Sequence, residues 1–333
     1  MKFSTKFSTK FSTIAAVLFA SPFLLPAAHA QGYPAKPVRI ISGIATGGPG
    51  DIGTRGAVLA LTQALGQPFV IESRLGAEGL IAWEACARSA PDGYTLCVFD
   101  GYQIALNPVV RAKMPYDGLR DLIPLMHLGF APGAIIAHPS VPVNSLKELF
   151  DLAKAKPGTV TWGSSGLASP SNLYIEWLKN AKGIVFNNIP YKSSQQAMQA
   201  VLAGEIQVTS FVAAAIAPQV RAGKLKALAV PTSERSPHLP EVPTFKEAGM
   251  EVAITTWIGI MAPAGTPRDI MQRLNATIAK ELFNNAGMKE KYLTTAGLQA
   301  LPPAGGNPEA FAEFLRSEVD MFSNLVKVTG VKL

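Results

Sequence analysis

The sequence predicts an α/β fold in which a mostly parallel sheet is covered by helices. Short apolar segments predict strands at Val38–Ser42, Phe69–Glu72 and Tyr94–Phe99, and helical patterns at Asp51–Leu65 and Gly79–Ala90 lie between them. Turns that contain glycine or proline separate these segments. Strands that alternate with helices in this way are typical of units with parallel strands.

The first thirty residues have the features of a secretory signal peptide. Three lysines precede an apolar run over 14–25, and Ala28-His29-Ala30 fits the small-x-small rule for cleavage. An uncleaved membrane anchor is the alternative, but the apolar run is short for a bilayer and Ser21-Pro22 interrupts it. We therefore expect cleavage after Ala30 and a periplasmic mature chain.

Composition narrows the possible function classes. The net charge is +7, and loss of three lysines and no acidic residue with the leader leaves +4. There is no block of lysine and arginine and no interleaving of aromatic with basic residues, so nucleic acid is not an expected partner. No later segment is long and apolar enough to span a membrane. No twin arginine precedes the apolar run, so a cofactor loaded before export is not expected.

The two cysteines, Cys86 and Cys97, lie on a predicted helix and on the strand after it. An oxidising compartment permits a disulfide between them, but two buried free thiols are equally compatible with the sequence. The histidines outside the leader, His127, His138 and His238, are scattered. Neither set has the spacing of a metal site, so no metal is expected.

A second α/β unit is predicted from about Phe130. Ser145-Leu146-Lys147-Glu148 is a capping box that opens a helix, and a strand over 159–162 leads into a loop of small residues. Ser169-Pro170 then begins a helix to Asn180, with serine at the N-cap and proline at the first helical position. Further strands are predicted at Val185–Ile189, Ile206–Ser210 and Leu225–Val230.

The last unit begins with the apolar run Ile254–Met261. Thr266 to Asp269 is expected to cap a helix that continues to about Asn284. Asn307-Pro308 caps the final helix, and Gly330 is expected to follow its C-cap. One face of that helix is expected to pack into the core and carries Phe311, Leu315, Val319, Phe322 and Val326.

One local arrangement occurs twice. A strand runs into a loop of small residues and then into a helix at Thr46–Asp51 and again at Gly163–Ser169. The first turn of a helix presents unpaired N–H groups and a partial positive charge, which together favour an anion. If the two halves of the chain face each other, these helix ends converge on a cleft that suits one or two carboxylates. The candidate anion-facing residues are Gly47, Gly48, Pro49, Gly50, Asp51, Ser164, Ser165 and Ser169.

The first of these loops also permits a dinucleotide-binding interpretation. Gly48–Gly53 matches G-x-G-x-x-G after a strand, and Glu72 lies 19 residues further on, where a ribose-binding acid is expected. Pro49, however, removes an N–H from the turn, and Asp51 would place a negative charge beside the phosphates. The signal peptide also directs the chain away from dinucleotide pools. An NAD-dependent oxidoreductase is therefore the alternative from another class.

Other catalytic patterns are weak. Gly163-Ser164-Ser165-Gly166 lacks the single residue between serine and each glycine that a nucleophile elbow requires. No predicted helix carries histidine and glutamate at zinc-binding spacing. Among acids near strand ends, we expect a functional loop position for Asp51 and a surface carboxylate for Glu72, and Asp100 stays open. We predict no catalytic residue and no enzyme activity.

A series of short motifs follows in order along nearly the whole expected mature chain. They are Tyr33–Arg39, Gly47-Gly48, Asp51-Ile52, Arg55, Ala64–Pro68, Ala90–Leu96, Asn107-Pro108, Met114–Asp117, Ser145–Leu149, Ser164–Gly166, Ile189–Lys192, Arg221–Leu225 and Ala262–Pro267. No single motif is diagnostic, but their ordered sum is specific. In this order the chain resembles the substrate-binding proteins of tripartite tricarboxylate transporters, the Bug receptors.

The resemblance implies a type II periplasmic binding-protein fold, in which two α/β lobes joined by crossing hinge strands hold the ligand between them. It implies a first lobe from 31–131 and 252–333 and a second lobe from 132–251. Members of the family capture small organic acids and pass them to a membrane permease, so we expect these two partners and a monomer. The Gly-Gly…Asp loop of the family contacts the ligand carboxylate. A sensory receptor that presents the ligand to a membrane kinase is the alternative within this class.

Three positions depart from the family pattern. Gly50 stands where threonine is common, Glu78–Ile81 replaces Gly-Gly-Asn-Ile, and Phe211-Val212 replaces an Asp-Asn pair. Because an aromatic ring replaces a polar partner, we expect a less polar carboxylate, aromatic ones included, with Phe211 against its body. The alternative is that Phe211 turns into the core. Further candidates for the cleft wall are Asp100, Tyr102, Tyr191 and Trp257.

Overall fold

The part of the chain that the structure describes has the α/β class predicted from the sequence. The computed structural model describes residues 1–2, 32–111, 114, 117–166, 169–232, 234–250 and 254–329. Nearly all of the expected signal peptide, its cleavage site after Ala30 and the expected helix end at Gly330 lie outside these residues.

Ten strands in the described chain form two sheets of five. Their bounds are β1 Val38–Ser42, β2 Phe69–Ser73, β3 Thr95–Asp100, β4 Leu122–Ala131, β5 Gly133–Ala137, β6 Thr161–Ser164, β7 Asn187–Pro190, β8 Val208–Val212, β9 Lys226–Ala229 and β10 Thr256–Pro263. The first sheet has the order β2-β1-β3-β10-β4, and the second has the order β7-β6-β8-β5-β9. We call each sheet with its helices a lobe, and the first sheet belongs to lobe 1.

Eleven α-helices lie among the described residues. Their bounds are α1 Pro49–Leu65, α2 Leu80–Ala87, α3 Asn107–Val110, α4 Gly118–Asp121, α5 Leu146–Ala155, α6 Pro170–Lys182, α7 Ser194–Leu202, α8 Ala213–Arg221, α9 Arg268–Ile278, α10 Ala286–Lys289 and α11 Pro308–Thr329. Short π-helical turns extend three of the helical segments, at Tyr102–Leu106, Ala279–Phe283 and Glu290–Thr294. A 3₁₀ turn at Ala77–Gly79 precedes α2.

The first sheet is mixed, whereas the sequence predicts a mostly parallel sheet. β1 pairs in parallel with β2 and β3, but β10 lies antiparallel between β3 and β4. In the second sheet β6 pairs in parallel with β7 and β8, and β5 is antiparallel to β8 and β9. The antiparallel pairs arise because β4, β5 and β10 adjoin the two places where the chain passes between the sheets.

Between the described elements, the chain crosses from one lobe to the other twice. β4 ends at Ala131 in lobe 1, and β5 begins at Gly133 in lobe 2, with Pro132 between them. After β9 the chain returns through the segment 230–255 to β10. The long helix α11 packs on β4 and also contacts α6 of lobe 2. Lobe 1 is therefore assembled from two separated parts of the chain, and lobe 2 from one.

Side-chain caps begin two of the predicted helices away from the lobe junction. The Ser145 hydroxyl accepts the Glu148 N–H at 3.1 Å at the start of α5. The Asn307 side chain accepts the Ala310 N–H at 2.8 Å at the start of α11. These hydrogen bonds satisfy N–H groups that the first helical turn leaves without partners. Both predicted caps are confirmed.

Some predicted boundaries are wrong. The Thr266 hydroxyl does not cap α9 but donates to the Pro263 carbonyl at 2.7 Å, and Pro267 occupies the N-cap. β6 begins two residues later than predicted and continues through Gly163-Ser164, because pairing with β7 and β8 extends into the small residues that resemble a loop. Seven elements are absent from the sequence-based prediction: β4, β5, α3, α4, α7, α8 and α10.

The C-terminal helix packs as its periodicity predicts. Phe311, Leu315 and Phe322 are buried in the core, and Val319 and Val326 are partly buried against it. This apolar face is confirmed. Although α11 has 22 residues, neither it nor any other described helix combines the length and apolarity needed to cross a membrane.

A disulfide joins a helix to the next strand in lobe 1. Cys86 on α2 and Cys97 on β3 are bonded, with their Cα atoms 6.2 Å apart. The sequence permits either this bond or two free thiols, and the structure has the bond. It ties α2 to the face of the sheet on which Trp83 and Phe99 also pack.

Candidate functional site

A cavity of about 210 Å³ is lined by residues of both lobes, close to where α1 and α6 begin. Most of its lining is apolar, and a limited set of polar side chains faces it, which is the usual composition of a small-molecule site. The polar lining residues are Asp51, Asp100, Tyr102, Ser165, Ser171, Tyr174, Ser194, Thr209, Ser210 and Thr256.

Lobe 1 contributes the start of α1 to the cavity. Gly48 is the N-cap and offers no side chain to the first turn, and Pro49 has no N–H. The N–H groups of Gly50 and Asp51 therefore have no acceptor within the helix. Together with the positive end of the helix dipole, they make this end of the cavity favourable for a negative ligand group.

Gly50 leaves no room for a side chain at this helix start. A Cβ added there would lie 2.8 Å from the Cδ1 atoms of both Ile44 and Ile258. Since all three residues line the cavity, the absent side chain lets the two isoleucines close over the backbone. The departure from threonine at this position therefore makes the lobe 1 wall more apolar.

The Asp51 carboxylate holds the glycine-rich loop in place. It is only 5% exposed, and it accepts the Gly47 N–H at 3.0 Å and the Arg55 Nε–H at 2.9 Å. The hydrogen bond with Asp51 raises the pKa of the Arg55 guanidinium. The negative charge of Asp51 is therefore offset by a cation one helical turn away.

Lobe 2 contributes the start of α6 and the end of β8. The Ser169 hydroxyl caps α6, since it accepts the Asn172 N–H at 3.3 Å and donates to the Gly166 carbonyl at 2.7 Å. The hydroxyls of Ser171 and Ser210 lie 2.8 Å apart. Because a hydroxyl both donates and accepts, this pair can offer a donor to a ligand while it keeps its internal hydrogen bond.

Asp100 and Tyr102 reach the cavity from the end of β3. The Asp100 carboxylate accepts the Gln103 N–H at 2.9 Å. Burial raises the pKa of Asp100 to about 6, although hydrogen bonds from backbone N–H groups oppose this shift. Burial also raises the pKa of Tyr102 well above its usual range, and nearby Tyr174 and Glu318 add to the effect.

The loops of the two lobes touch beside the cavity. A Cβ added to Gly166 of lobe 2 would lie 3.2 Å from the Cδ atom of Glu78 in lobe 1. Glu78 is also ion-paired with Arg111, and the Asn107 amide donates to the Glu78 carbonyl at 2.9 Å. Because Ser165, next to Gly166, lines the cavity, this contact lies at the edge of the site.

Seven of the predicted site residues are brought together at the cavity, and six are not. Those that line it are Pro49, Gly50, Asp51, Asp100, Tyr102, Ser165 and Phe211. Gly47 and Gly48 support the loop before α1, and Ser169 caps α6 from outside the lining. A position at the cavity does not by itself show that a residue binds a ligand, so the ligand contacts stay predictions.

Three predicted cleft residues are not among those that line the cavity, and two of them, Trp257 and Ser164, lie on strands. Trp257 is fully buried, and its Nε1–H donates to Glu318 at 2.9 Å. Its neighbour Ile258 faces the cavity, and successive strand residues point to opposite faces, so Trp257 points into lobe 1. Ser164 is likewise buried inside β6, and its carbonyl accepts the N–H of Tyr191 at 2.8 Å. Trp257 and Tyr191, which were expected at the cleft wall, and Ser164, which was expected to face the anion, are not among the residues that line this cavity, and ligand contacts by them stay predictions.

Phe211 both faces the cavity and packs in the core, although the sequence analysis treats these as alternatives. It lines the cavity, is 9% exposed and packs in the hydrophobic core of lobe 2. Val212, which follows it, also lines the cavity. Contact between the Phe211 ring and the body of a ligand stays a prediction.

Several polar lining residues were not among the predicted site residues. They are Ser171, Tyr174, Ser194, Thr209, Ser210 and Thr256. Ser171 has a sequence signal, because it directly follows the Ser169-Pro170 helix start. Ser210 and Thr209 lie on β8 and reach the cavity through the pairing of β8 with β5, which a single sequence does not reveal.

Two further features bear on the dinucleotide-binding and metal-binding alternatives. Glu72 pairs with Arg74 at 2.6 Å and with Arg39 at 3.5 Å, as expected for a surface carboxylate. Among the residues that the structure describes, no three or more histidine, cysteine, aspartate or glutamate side chains are grouped to hold a metal ion.

Two α/β lobes, crossing strands and an apolar cavity with helix starts at its walls define a two-lobed solute-binding protein. Residues 54–331 match the tripartite tricarboxylate transporter family receptor, and the chain belongs to this family. Protein BugT of Bordetella pertussis is 32% identical over 322 residues, which cover 96% of this chain and 97% of BugT.

Two solved structures with ligands are similar to this chain. The R. palustris protein Rpa4515 with adipate is 30% identical, with a TM-score of 0.82, and the match covers 90% of this chain and 99% of that protein. MatC from Rhodopseudomonas palustris with bound malate is 28% identical, with a TM-score of 0.80 and coverage of 88% and 100%.

These comparisons confirm the family resemblance and the two-lobed fold that it implies. The chain is a solute receptor of a periplasmic family, and the dinucleotide-binding alternative is not favoured. The glycine-rich loop before α1 is therefore part of a receptor fold, although its letters match a dinucleotide fingerprint.

Proposed function

We propose that this receptor captures a small, weakly polar organic carboxylate, aromatic ones included, between its lobes. It then delivers the ligand to a permease of the tripartite tricarboxylate type and carries out no chemistry. The observation that carries the proposal is the start of α1, which opens on an interlobe cavity with the N–H groups of Gly50 and Asp51 unpaired within the helix. The adipate and malate bound by two relatives are also small organic acids.

The proposed contacts divide between the two lobes. The ligand carboxylate accepts hydrogen bonds from the start of α1 and from the Ser165 and Ser171 hydroxyls, while its body packs against Phe211. Gly47, Gly48 and Ser169 shape the loops that present these donors. A site made of backbone dipoles and hydroxyls suits an anion because such donors are fixed before the ligand arrives.

We also propose that the protein is exported, cleaved after Ala30 and functions as a monomer in the periplasm. The Cys86–Cys97 disulfide supports this location, because disulfides persist in oxidising compartments. The proposed lobes are 31–131 with 252–333 and 132–251. Mass spectrometry of the exported protein would test the cleavage site. An exported protein whose mass still includes residues 1–30 would contradict the proposed cleavage.

The first experiment measures thermal unfolding of the mature chain 31–333 with a panel of aliphatic and aromatic carboxylates, with NAD as a control. A ligand at 100 times its dissociation constant adds roughly 2.7 kcal/mol to the free energy of unfolding. The protein is unfolded and refolded beforehand so that any ligand retained from the cell is removed. We expect stabilisation by one class of carboxylate and none by NAD.

Two results would contradict the proposed function. Stabilisation by NAD alone would favour the enzyme alternative, and no response to any carboxylate in the refolded protein would remove the basis for a carboxylate receptor. Turnover of the stabilising ligand, followed by mass spectrometry, would contradict the proposal that no chemistry occurs.

A further inference from the structure

The charges at the cavity are unusual for an anion site. Two carboxylates, those of Asp51 and Asp100, line it, but no lysine, arginine or histidine is among the described lining residues. A ligand carboxylate therefore depends on N–H groups, hydroxyls and the α1 dipole for its stabilisation. A second negative group on the ligand could not form an ion pair with any of the described lining residues.

The two carboxylates are not equivalent. Asp51 is paired with Arg55 at 2.9 Å and accepts the Gly47 N–H, so its charge is largely offset. Asp100 accepts the Gln103 N–H, and no described cationic side chain is paired with it. When it is ionised, Asp100 is thus the uncompensated negative charge at this cavity.

Asp100 reaches the cavity from a different strand from the one that leads into α1. Asp51 begins α1 after the β1 loop, whereas Asp100 ends β3 and is continuous with the turn that contains Tyr102. Both residues line one cavity, so a single small ligand can contact the α1 start with its carboxylate and Asp100 with a second polar group. These two contacts favour ligand groups of opposite character.

We infer that the ligand is a monocarboxylate that also carries an N–H or O–H donor, which hydrogen-bonds to Asp100, so that Asp100 selects against dicarboxylates. This inference rests on the proposed function, since it assumes that a carboxylate binds at the start of α1. A buried carboxylate accepts a hydrogen bond from an amide, hydroxyl or ammonium group, but it repels a second carboxylate. Specificity of this kind comes from repulsion of the wrong ligand as well as attraction of the right one.

The inference separates this receptor from the two ligand-bound relatives. Adipate and malate, bound by those proteins, each carry two carboxylates. The hydroxyls that line the cavity do not discriminate between a carboxylate and an amide on the ligand, because a hydroxyl can donate to the first or accept from the second. Discrimination therefore falls on Asp100, which is restricted to accepting when it is ionised.

The test uses pairs of ligands that differ only by a carboxylate and an amide. The pairs are succinate with succinamate, adipate with adipamate, and terephthalate with 4-carbamoylbenzoate. Dissociation constants for the wild type and Asp100→Asn are measured by calorimetry at pH 8, where a carboxyl of pKa about 6 is ionised. Asp320→Asn, which removes an exposed acid from α11, is the matched control for the loss of one charge.

We expect the wild type and Asp320→Asn to bind the monoamide of at least one pair 10-fold or more tightly than the dicarboxylate. Asp100→Asn should reduce that ratio to 3-fold or less or reverse it, because the asparagine keeps the shape of the side chain without its charge. Circular dichroism and the melting temperature check that the variant is folded. Should it fail to fold, Asp100→Ser provides a second uncharged side chain.

Several outcomes would overturn the inference. Tighter binding of dicarboxylates by the wild type, or the same ratio in Asp100→Asn, would exclude selection by Asp100 while the receptor function stands. If no member of any pair binds, the proposed function fails and the inference fails with it. A ratio that also changes in Asp320→Asn would show that net charge, and not Asp100, is responsible.

Discussion

The starts of α1 and α6 are built from similar residues, but they leave different groups free for a ligand. Both have a proline at the first helical position after a loop of small residues. At α6 the Ser169 hydroxyl accepts the Asn172 N–H, so the protein satisfies part of its own helix end. At α1 the N-cap is Gly48, which makes no side-chain cap, and the N–H groups of the first turn stay available.

The difference indicates that the lobes contribute different chemistry. Lobe 1 contributes the backbone N–H groups at the start of α1, whereas the Ser171–Ser210 hydroxyl pair and the Phe211 ring belong to lobe 2. Two similar motifs at one cavity are therefore not duplicates of one another. A capped helix start favours stability, whereas an uncapped start retains its capacity to bind an anion.

The largest expected effect comes from a negative charge on the lobe 2 wall. We predict that Phe211→Asp weakens carboxylate binding at least 100-fold, because two unit charges 4 Å apart repel by about 4 kcal/mol at an effective dielectric constant of 20. Calorimetry with the ligand found in the panel measures the change. Phe211→Leu, which keeps the wall apolar, should lose less than 10-fold. Equal binding by Phe211→Asp would show that lobe 2 does not contact the ligand there.

A buried histidine should make the stability of lobe 1 sensitive to acid. His127 in lobe 1 is 1% exposed among Phe130, Trp257 and other aromatic rings, and burial lowers its pKa to about 3. Since the unfolded chain takes up the His127 proton near pH 6.5, stability is lost as the pH falls from 6.5 towards 3.

We predict that this loss reaches about 2 kcal/mol at pH 5, because one pH unit corresponds to about 1.4 kcal/mol. Asp100 acts in the opposite direction, since its raised pKa favours folding as the pH falls from about 6 to 4. Urea unfolding of the wild type and His127→Phe between pH 7 and 5 isolates the histidine contribution. An unchanged slope in His127→Phe would contradict the prediction.

A smaller effect compares the two N-caps directly. We predict that Ser169→Ala lowers the free energy of unfolding by about 1 kcal/mol, because the Asn172 N–H loses its acceptor. Gly48→Ala should change it by less than about 0.5 kcal/mol, since Gly48 makes no side-chain cap and an added Cβ meets nothing closer than 3.9 Å. Urea unfolding measures both free energies. Equal losses in Ser169→Ala and Gly48→Ala would mean that the two helix starts do not differ as described.

The smallest expected effect concerns the hydroxyl pair of lobe 2. Ser171→Ala should weaken ligand binding by about 5-fold, because a hydrogen bond contributes about 1 kcal/mol net. Ser317→Ala, at an exposed position of α11, is the matched control and should bind as the wild type does. Calorimetry measures both. Wild-type affinity in Ser171→Ala would mean that the ligand is held by lobe 1 alone.

Much of the fold follows from local sequence, and the part that does not depends on distant pairing. β1 begins and ends as predicted, and Ser145, Ser169 and Asn307 cap helices as expected, because strand periodicity and capping are local. β4 and β5 carry no such local signal. Their place in the sheets depends on strands more than 70 residues away, such as β8 and β10.

The site was predictable where it lies on helix starts and less so where it lies on strands. Pro49–Asp51 and Ser165 adjoin the small-residue loops and line the cavity. The sequence does not indicate which face of a strand Trp257 and Ser164 occupy, because one step along a strand reverses the direction of a side chain. Ser210 and Thr256 reach the cavity only through the packing of two lobes, which composition and spacing do not encode.

The position of β10 has a consequence for the order in which the protein is completed. β10 lies between β3 and β4, yet it is the last strand to emerge when the chain is made or exported from its N-terminus. Until it arrives, β3 and β4 each present an open edge, and exposed edges invite pairing with other chains. Lobe 2, whose strands are contiguous in sequence, has its full sheet earlier. A chain interrupted before residue 256 would therefore retain a complete second sheet beside a first sheet split in two.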